Sequence, residues 1–209
     1  MGNIFRPDSP LMRFMMLVTN LIVLNVLWLL GCIPVVTAGA STAAMYSVLL
    51  GYITGKDDAV LKPFLRAFRE NFRVATPLWI LNLLIGGVLA AEMFYLAVDS
   101  GLWLKILFGV LLFIYSAATS YLYPIIARHQ TTGKAALFNS FALSMRHLLS
   151  SVCIVVLNAL PVVLMVAFTE IFWKSILVWT LIGFSLIAYL DLKILLPVFK
   201  KYDPTPEEK

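Results

Sequence analysis

The sequence predicts an all-α, polytopic transmembrane helix bundle with about six spans and two cytosolic amphipathic surface helices, and three observations carry that prediction. Apolar residues make up 61% of the 209 positions and charged residues only 13%, whereas soluble domains are about half apolar and a quarter charged. The apolar residues gather into runs near the roughly 20 residues that a spanning helix needs. The basic residues fall between those runs. No stretch is left over for a soluble catalytic domain, so residues 1–209 read as a single integral membrane domain.

Phe14 to about Val36 is the first run, and Gly31-Cys32-Ile33-Pro34 breaks it. Arg6 and Arg13 before it and Ala38-Gly39-Ala40 after it imitate a signal peptide, but the run exceeds the roughly 7–15 residues of a signal core. The helix is expected to stay. Ala38 to Ile53 is rich in Ala, Ser and Gly, and at about 1.5 Å per residue it rises roughly 24 Å, a little short of a hydrocarbon core. It either crosses as a short helix or dips in and returns.

A basic segment follows, with Lys56, Lys62, Arg66, Arg69 and Arg73 beside Val60, Phe64, Phe68 and Phe72, which recur every fourth residue. Leu61 and Leu65 widen the stripe. That pattern predicts an amphipathic helix over 58–73 lying in the membrane surface, its basic side toward water or headgroups, with Asp57 or Asp58 as its cap. Val74 to Val98 forms the next span, Asp99-Ser100-Gly101 a tight turn, and Trp103 to Ala127 the return. Arg128 to His147 holds a second amphipathic pattern, with Leu137, Phe138, Phe141, Met145 and Leu148 on one side. Spans over about 149–169 and 175–197 complete the chain, before a charged, proline-punctuated tail.

Positive loops are retained on the cytoplasmic side. Six crossings with both termini inside put thirteen of the sixteen Lys and Arg residues inside, leaving Lys105 and Lys174 near the outer face and Lys193 within the last span. Five crossings would put Arg6 and Arg13 outside. Six is therefore preferred, with both termini cytoplasmic. The net charge of +5 points to anionic lipid headgroups and not to nucleic acid, because the basic residues sit between apolar runs. Cys32 and Cys153 fall near opposite faces of the bilayer, beyond disulfide reach.

Phe68, Arg73 and Pro124 have counterparts at Phe141, Arg146 and Pro197, all 73 residues on. A tandem repeat of about 58–127 and 131–200 would explain them. The triplets Val23-Leu24-Asn25, Ile80-Leu81-Asn82 and Val156-Leu157-Asn158 also recur, although the last two are offset by 76, so the registers disagree.

Polar groups inside hydrocarbon are costly and should face protein or water. Asn20, Asn25, Asn82 and Asn158 are candidates for hydrogen bonds between helices, with the lining of a substrate path as the alternative. Asp191 is the sharpest single residue, about two turns inside the cytosolic end of the last span. It is expected to meet a basic or hydrogen-bond-donating group, an asparagine amide or an arginine, because Lys193 two residues on points elsewhere and can snorkel to the headgroups. A proton or ion site is the competing reading. Glu92 and Glu170 read as interfacial, and His129 and His147 as headgroup-facing. The chain has no His-Glu-x-x-His or Cys-x-x-Cys pair for zinc. It has no Walker loop, since Gly55-Lys56 and Gly133-Lys134 lack the upstream glycine and following hydroxyl, no Gly-x-Ser-x-Gly elbow, and no paired intramembrane aspartates. No catalytic, cofactor or metal site is expected.

The stretch from Asn25 through Gly31-Cys32-Ile33-Pro34-Val35-Val36-Thr37-Ala38-Gly39-Ala40-Ser41-Thr42 to Tyr46 resembles the N-terminal signature of the YesL family of bacterial membrane proteins. Phe64-Leu65-Arg66-Ala67-Phe68-Arg69-Glu70-Asn71-Phe72 is similar to the same family's next segment. The resemblance brings no catalytic or binding residues with it. It implies an association with carbohydrate ABC-importer components, hence an accessory or regulatory subunit that could touch importer permease subunits. In that reading Lys62, Arg66, Arg69 and Arg73 are the candidate docking or lipid-binding residues. The alternative is a small secondary transporter or channel acting on its own, with Asp191 and the asparagines along its path.

Overall fold

The computed structural model describes residues 10–55, 59–99, 101–128 and 132–202. Within them the chain is helical and holds no strand. Helix α1 spans Pro10–Cys32 and stops at the Ile33-Pro34 break; a 3₁₀ turn, Val35–Thr37, leads into α2, Ala38–Ile53. Helix α3 is Leu61–Asp99, α4 Leu102–Arg128, α5 Gly133–Arg146 and α6 Leu148–Ala167. A short α7, Thr169–Lys174, and a single turn α8, Ile176–Val178, precede a π-helical turn at Trp179–Gly183, which runs into α9, Phe184–Lys200. Among the described residues, six helical stretches are long and apolar enough to cross a membrane. The N-terminal Arg6, the caps Asp57 and Asp58, and His129 lie outside the described residues.

Helix α2 is the centre of the bundle, packed by α1, α3, α4 and α9. Its composition explains this: Ala40, Ser41, Ala43 and Ala44 are fully buried, and small side chains let neighbouring helices approach closely when lipid offers no hydrophobic gain. Gly39 shows how closely, since a Cβ there would run into the side chain of Trp79. Trp79 also donates from Nε1 to the carbonyl of Val35 at 2.7 Å.

Helix α3 differs from the expected surface helix followed by a separate span. The amphipathic segment is the first part of one 39-residue helix, which at about 1.5 Å per residue is roughly 58 Å long, well beyond a hydrocarbon core of about 30 Å. The helix runs on through Arg73 and Val74 although Pro77 lies within it, a proline that withholds the amide the Arg73 carbonyl would have accepted and crowds that carbonyl. Pro63 sits in the first turn, where its missing N–H costs nothing. The basic half lies beside α2 and not beyond its end, because Ala59 and Val60 adjoin Val48 and Tyr52 while Ala75 and Trp79 adjoin Gly39. The apolar stripe is therefore taken up by protein: Phe64 is 3% exposed and Phe68 packs against the core. Phe72 stays exposed.

Helix α5 is a separate element, ended by the non-helical backbone of His147. Its buried side is Ala136, Ser140 and Ser144, a stripe of small residues four apart. Its large apolar residues Phe138 and Phe141 point outward. Ser144 and Ser151 join α5 to α6, with Ser151 Oγ 2.7 Å from the Ser144 carbonyl and 3.2 Å from Tyr121 Oη of α4.

Candidate functional site

Asp191 lies fully buried where α9 meets α2 and α6. Tyr46 of α2 donates its hydroxyl to Asp191 Oδ2 at 3.0 Å, and the Asn158 amide of α6 donates to the same oxygen at 2.8 Å. Asn158 Nδ2 also reaches the Ile154 carbonyl of its own helix at 3.0 Å. Both of its neighbours are acceptors, which fixes the amide orientation. Asp191 Oδ1 is buried with no hydrogen-bond partner among the described residues. No basic side chain meets the carboxyl in the described contacts. Lys193 faces outward and stacks over the Tyr189 ring at 5.0 Å. Of the donors expected from sequence, the asparagine amide is present and the arginine is not. Tyr46 carries no such signal in the sequence, because a tyrosine in an Ala-rich run reads as packing until its helix is known to be central.

Asn25 is also fully buried and serves the backbone of the last span. Its Nδ2 donates to the carbonyls of Trp179 at 3.1 Å and Thr180 at 2.7 Å, and its Oδ1 accepts the Ser185 amide at 2.9 Å. The π turn disturbs the regular hydrogen-bond ladder, and Asn25 makes good the groups it frees. Gly183 belongs to the same device, for a Cβ there would run into the Trp179 ring. Asn82 on α3 donates to Tyr123 Oη of α4 at 3.4 Å, and Tyr115 of α4 donates to the Asn82 carbonyl at 2.6 Å. These two asparagines hold helices together, as interhelical polar groups do.

Lys62, Arg66, Arg69 and Arg73 are exposed along the outer side of α3. Arg66 pairs with Glu70 at 2.9 Å. His147 faces Tyr202 Oη at 3.1 Å, and Arg128 lies over the Phe199 ring at 5.0 Å. Glu92 and Glu170 are exposed, with Glu170 3.8 Å from Lys174. Cys32 and Cys153 are both free thiols. No three His, Cys, Asp or Glu side chains converge among the described residues. Chemically, the centre offers one carboxyl with a bare oxygen and two neutral donors.

With that geometry in hand, one comparison gives a match. Residues 21–93 match a family described as "Protein of unknown function, DUF624". The matched region runs from Leu21 in α1, through all of α2, into the second half of α3, and so contains Asn25, Tyr46, Asn82 and the four exposed basic residues. It stops short of Asn158 and Asp191. No curated protein and no solved structure matches the chain.

Proposed function

We propose that this chain is an accessory or regulatory subunit of a carbohydrate ABC uptake system in the bacterial cytoplasmic membrane, with both termini in the cytoplasm. The observation that carries the proposal is the position of Lys62, Arg66, Arg69 and Arg73, exposed on the outer side of α3 while the other side of that helix is sealed against α2. A row of cations laid beside an apolar helix requires headgroups, water or the polar surface of another protein to solvate it. A permease subunit supplies such a surface, and helix-against-groove contact is a common mode of recognition. The carbohydrate importer comes from the resemblance of the 25–46 and 64–72 segments to the YesL family, and the basic row supplies the docking face. Affinity purification from native membranes tests the reading. The wild-type chain should retain importer permease subunits, and the double variant Arg69→Glu/Arg73→Glu should lose them. Recovery of no importer component with the wild type contradicts it.

One observation favours a second reading, a small secondary transporter or channel: the bare Oδ1 of Asp191, a place to hold a proton or cation at mid-bundle. Purified protein in liposomes distinguishes the two. Flux of protons, ions or sugars that Asp191→Asn abolishes without lowering thermal stability would favour the transporter; absence of flux across that panel removes it.

A further inference from the structure

At the end of the bundle where α4 and α9 finish, an open groove of about 340 Å³ lies between them and α5, a size within the roughly 300–1,000 Å³ of small-molecule sites. Its floor is apolar, made by Ile125, Leu143 and Phe199, and Phe138 forms an exposed lip. Its rim is cationic. Arg146 lines it directly, and Arg128 sits over the ring of Phe199, itself a lining residue. None of the acidic side chains described lines it.

We propose that this groove binds one anionic phospholipid, with the headgroup phosphate held by Arg146 and an acyl chain laid over Ile125, Leu143 and Phe199. Charge complementarity chooses this occupant, because basic pockets between helix ends at a membrane surface are suited to anionic headgroups. The apolar floor continues into outward-facing Phe138 and Phe141 of α5, residues suited to lipid and not to water. Ser140 and Ser144 turn their hydroxyls back onto their own helix at 2.9 Å and so leave the groove's chemistry to Arg146 and Asn139. The site is distinct from the α3 basic row and does not depend on the subunit reading.

Native mass spectrometry of the full chain in detergent, with phosphatidylglycerol, phosphatidylcholine or inorganic phosphate added, tests the proposal. The wild type should retain one phosphatidylglycerol in preference to phosphatidylcholine, and inorganic phosphate should not compete. Arg146→Gln should lower retention about tenfold, in line with loss of a charge-assisted hydrogen bond, and Arg146→Lys should restore part of it. Leu143→Trp, which fills the groove, should abolish retention, while Arg69→Gln should leave it unchanged. Equal retention of the two lipids overturns the proposal, as does an Arg146→Gln variant that melts like the wild type and still binds. Competition by inorganic phosphate would reassign the site to a free anion. Retention appearing only after removal of residues 203–209, which carry Asp203, Glu207 and Glu208, would assign the groove to the tail and overturn the proposal as well.

Discussion

The first part of α3 and the whole of α5 share a sequence pattern, basic residues beside aromatic ones at helical spacing, yet they turn opposite faces to the protein. In α3 the aromatic side packs inward: Phe64 is 3% exposed, and Phe68 lies against the same core. In α5 the fully buried residues are the small Ala136, Ser140 and Ser144, flanked by half-buried Leu137 and Leu143, and the aromatic Phe138 is left 72% exposed. The partner helix decides the difference. Helix α3 packs on α2, whose Gly39, Ala40, Ala43 and Ala44 leave room for rings. Helix α5 packs on α4, which brings Tyr121, Leu122, Ile125 and Ile126 to the core and therefore accepts a small-residue face. In water an aromatic stripe marks the buried side of a helix, but beside lipid both sides of a helix can be apolar, so complementarity of size takes over from polarity.

The largest effect that could break this comparison is at Phe64. Phe64→Ala should cost about 3–5 kcal/mol of stability in detergent, the usual range for deleting a buried ring, while Phe141→Ala should stay within about 0.5 kcal/mol, as for exposed positions. Equal losses in thermal or denaturant unfolding would mean that the two aromatic stripes are equivalent after all.

A reference point outside both segments sets the scale between packing and polar bonding. Asn25→Ala strands two carbonyls and the Ser185 amide beside the π turn, and each buried group left unmade typically costs about 1–3 kcal/mol. Three such groups put the expected loss at about 3–9 kcal/mol, at least that of Phe64→Ala, and a clearly smaller loss would show that packing outweighs polar bonding in this bundle. Overfilling the small-residue face of α5 is the next step down. Ser140→Leu should cost about 1–3 kcal/mol through overpacking, and a variant as stable as the wild type would show that α5 is loosely seated. Smallest of all, Arg69→Gln/Arg73→Gln should change stability by under about 0.5 kcal/mol, since both side chains are exposed; a large loss would place them in an intramolecular role.

Much of this architecture was legible in the residues. Apolar run length and the Gly31-Pro34 and Asp99-Gly101 breaks set the helix order, because a chain in lipid must satisfy its backbone within each helix. Asn25, Asn82, Asn158 and Asp191 stood out because polar groups are rare in such runs. Of their partners, only the asparagine amide that meets Asp191 was legible. Tyr46, Ser185 and the tyrosines of α4 look like ordinary helix residues until the packing sets them opposite an amide or a carboxyl. Nor did local pattern reveal that 61–73 continues into the span, since an uninterrupted helix and two abutting ones have the same periodicity. The π turn at Trp179–Gly183 depends on Asn25, more than 150 positions away in the chain, and no local signal carries that.

The basic side of α3 and the aromatic side of α5 are the two exposed surfaces that the comparison contrasts, and the central claim is that the first meets protein. Photo-crosslinking amino acids at positions 69 and 141, introduced one at a time in native membranes, measure this directly. Position 69 is predicted to crosslink to an importer permease subunit, and position 141 to lipid alone. Crosslinks to lipid alone from position 69, or to a permease subunit from position 141 in its place, would contradict the account.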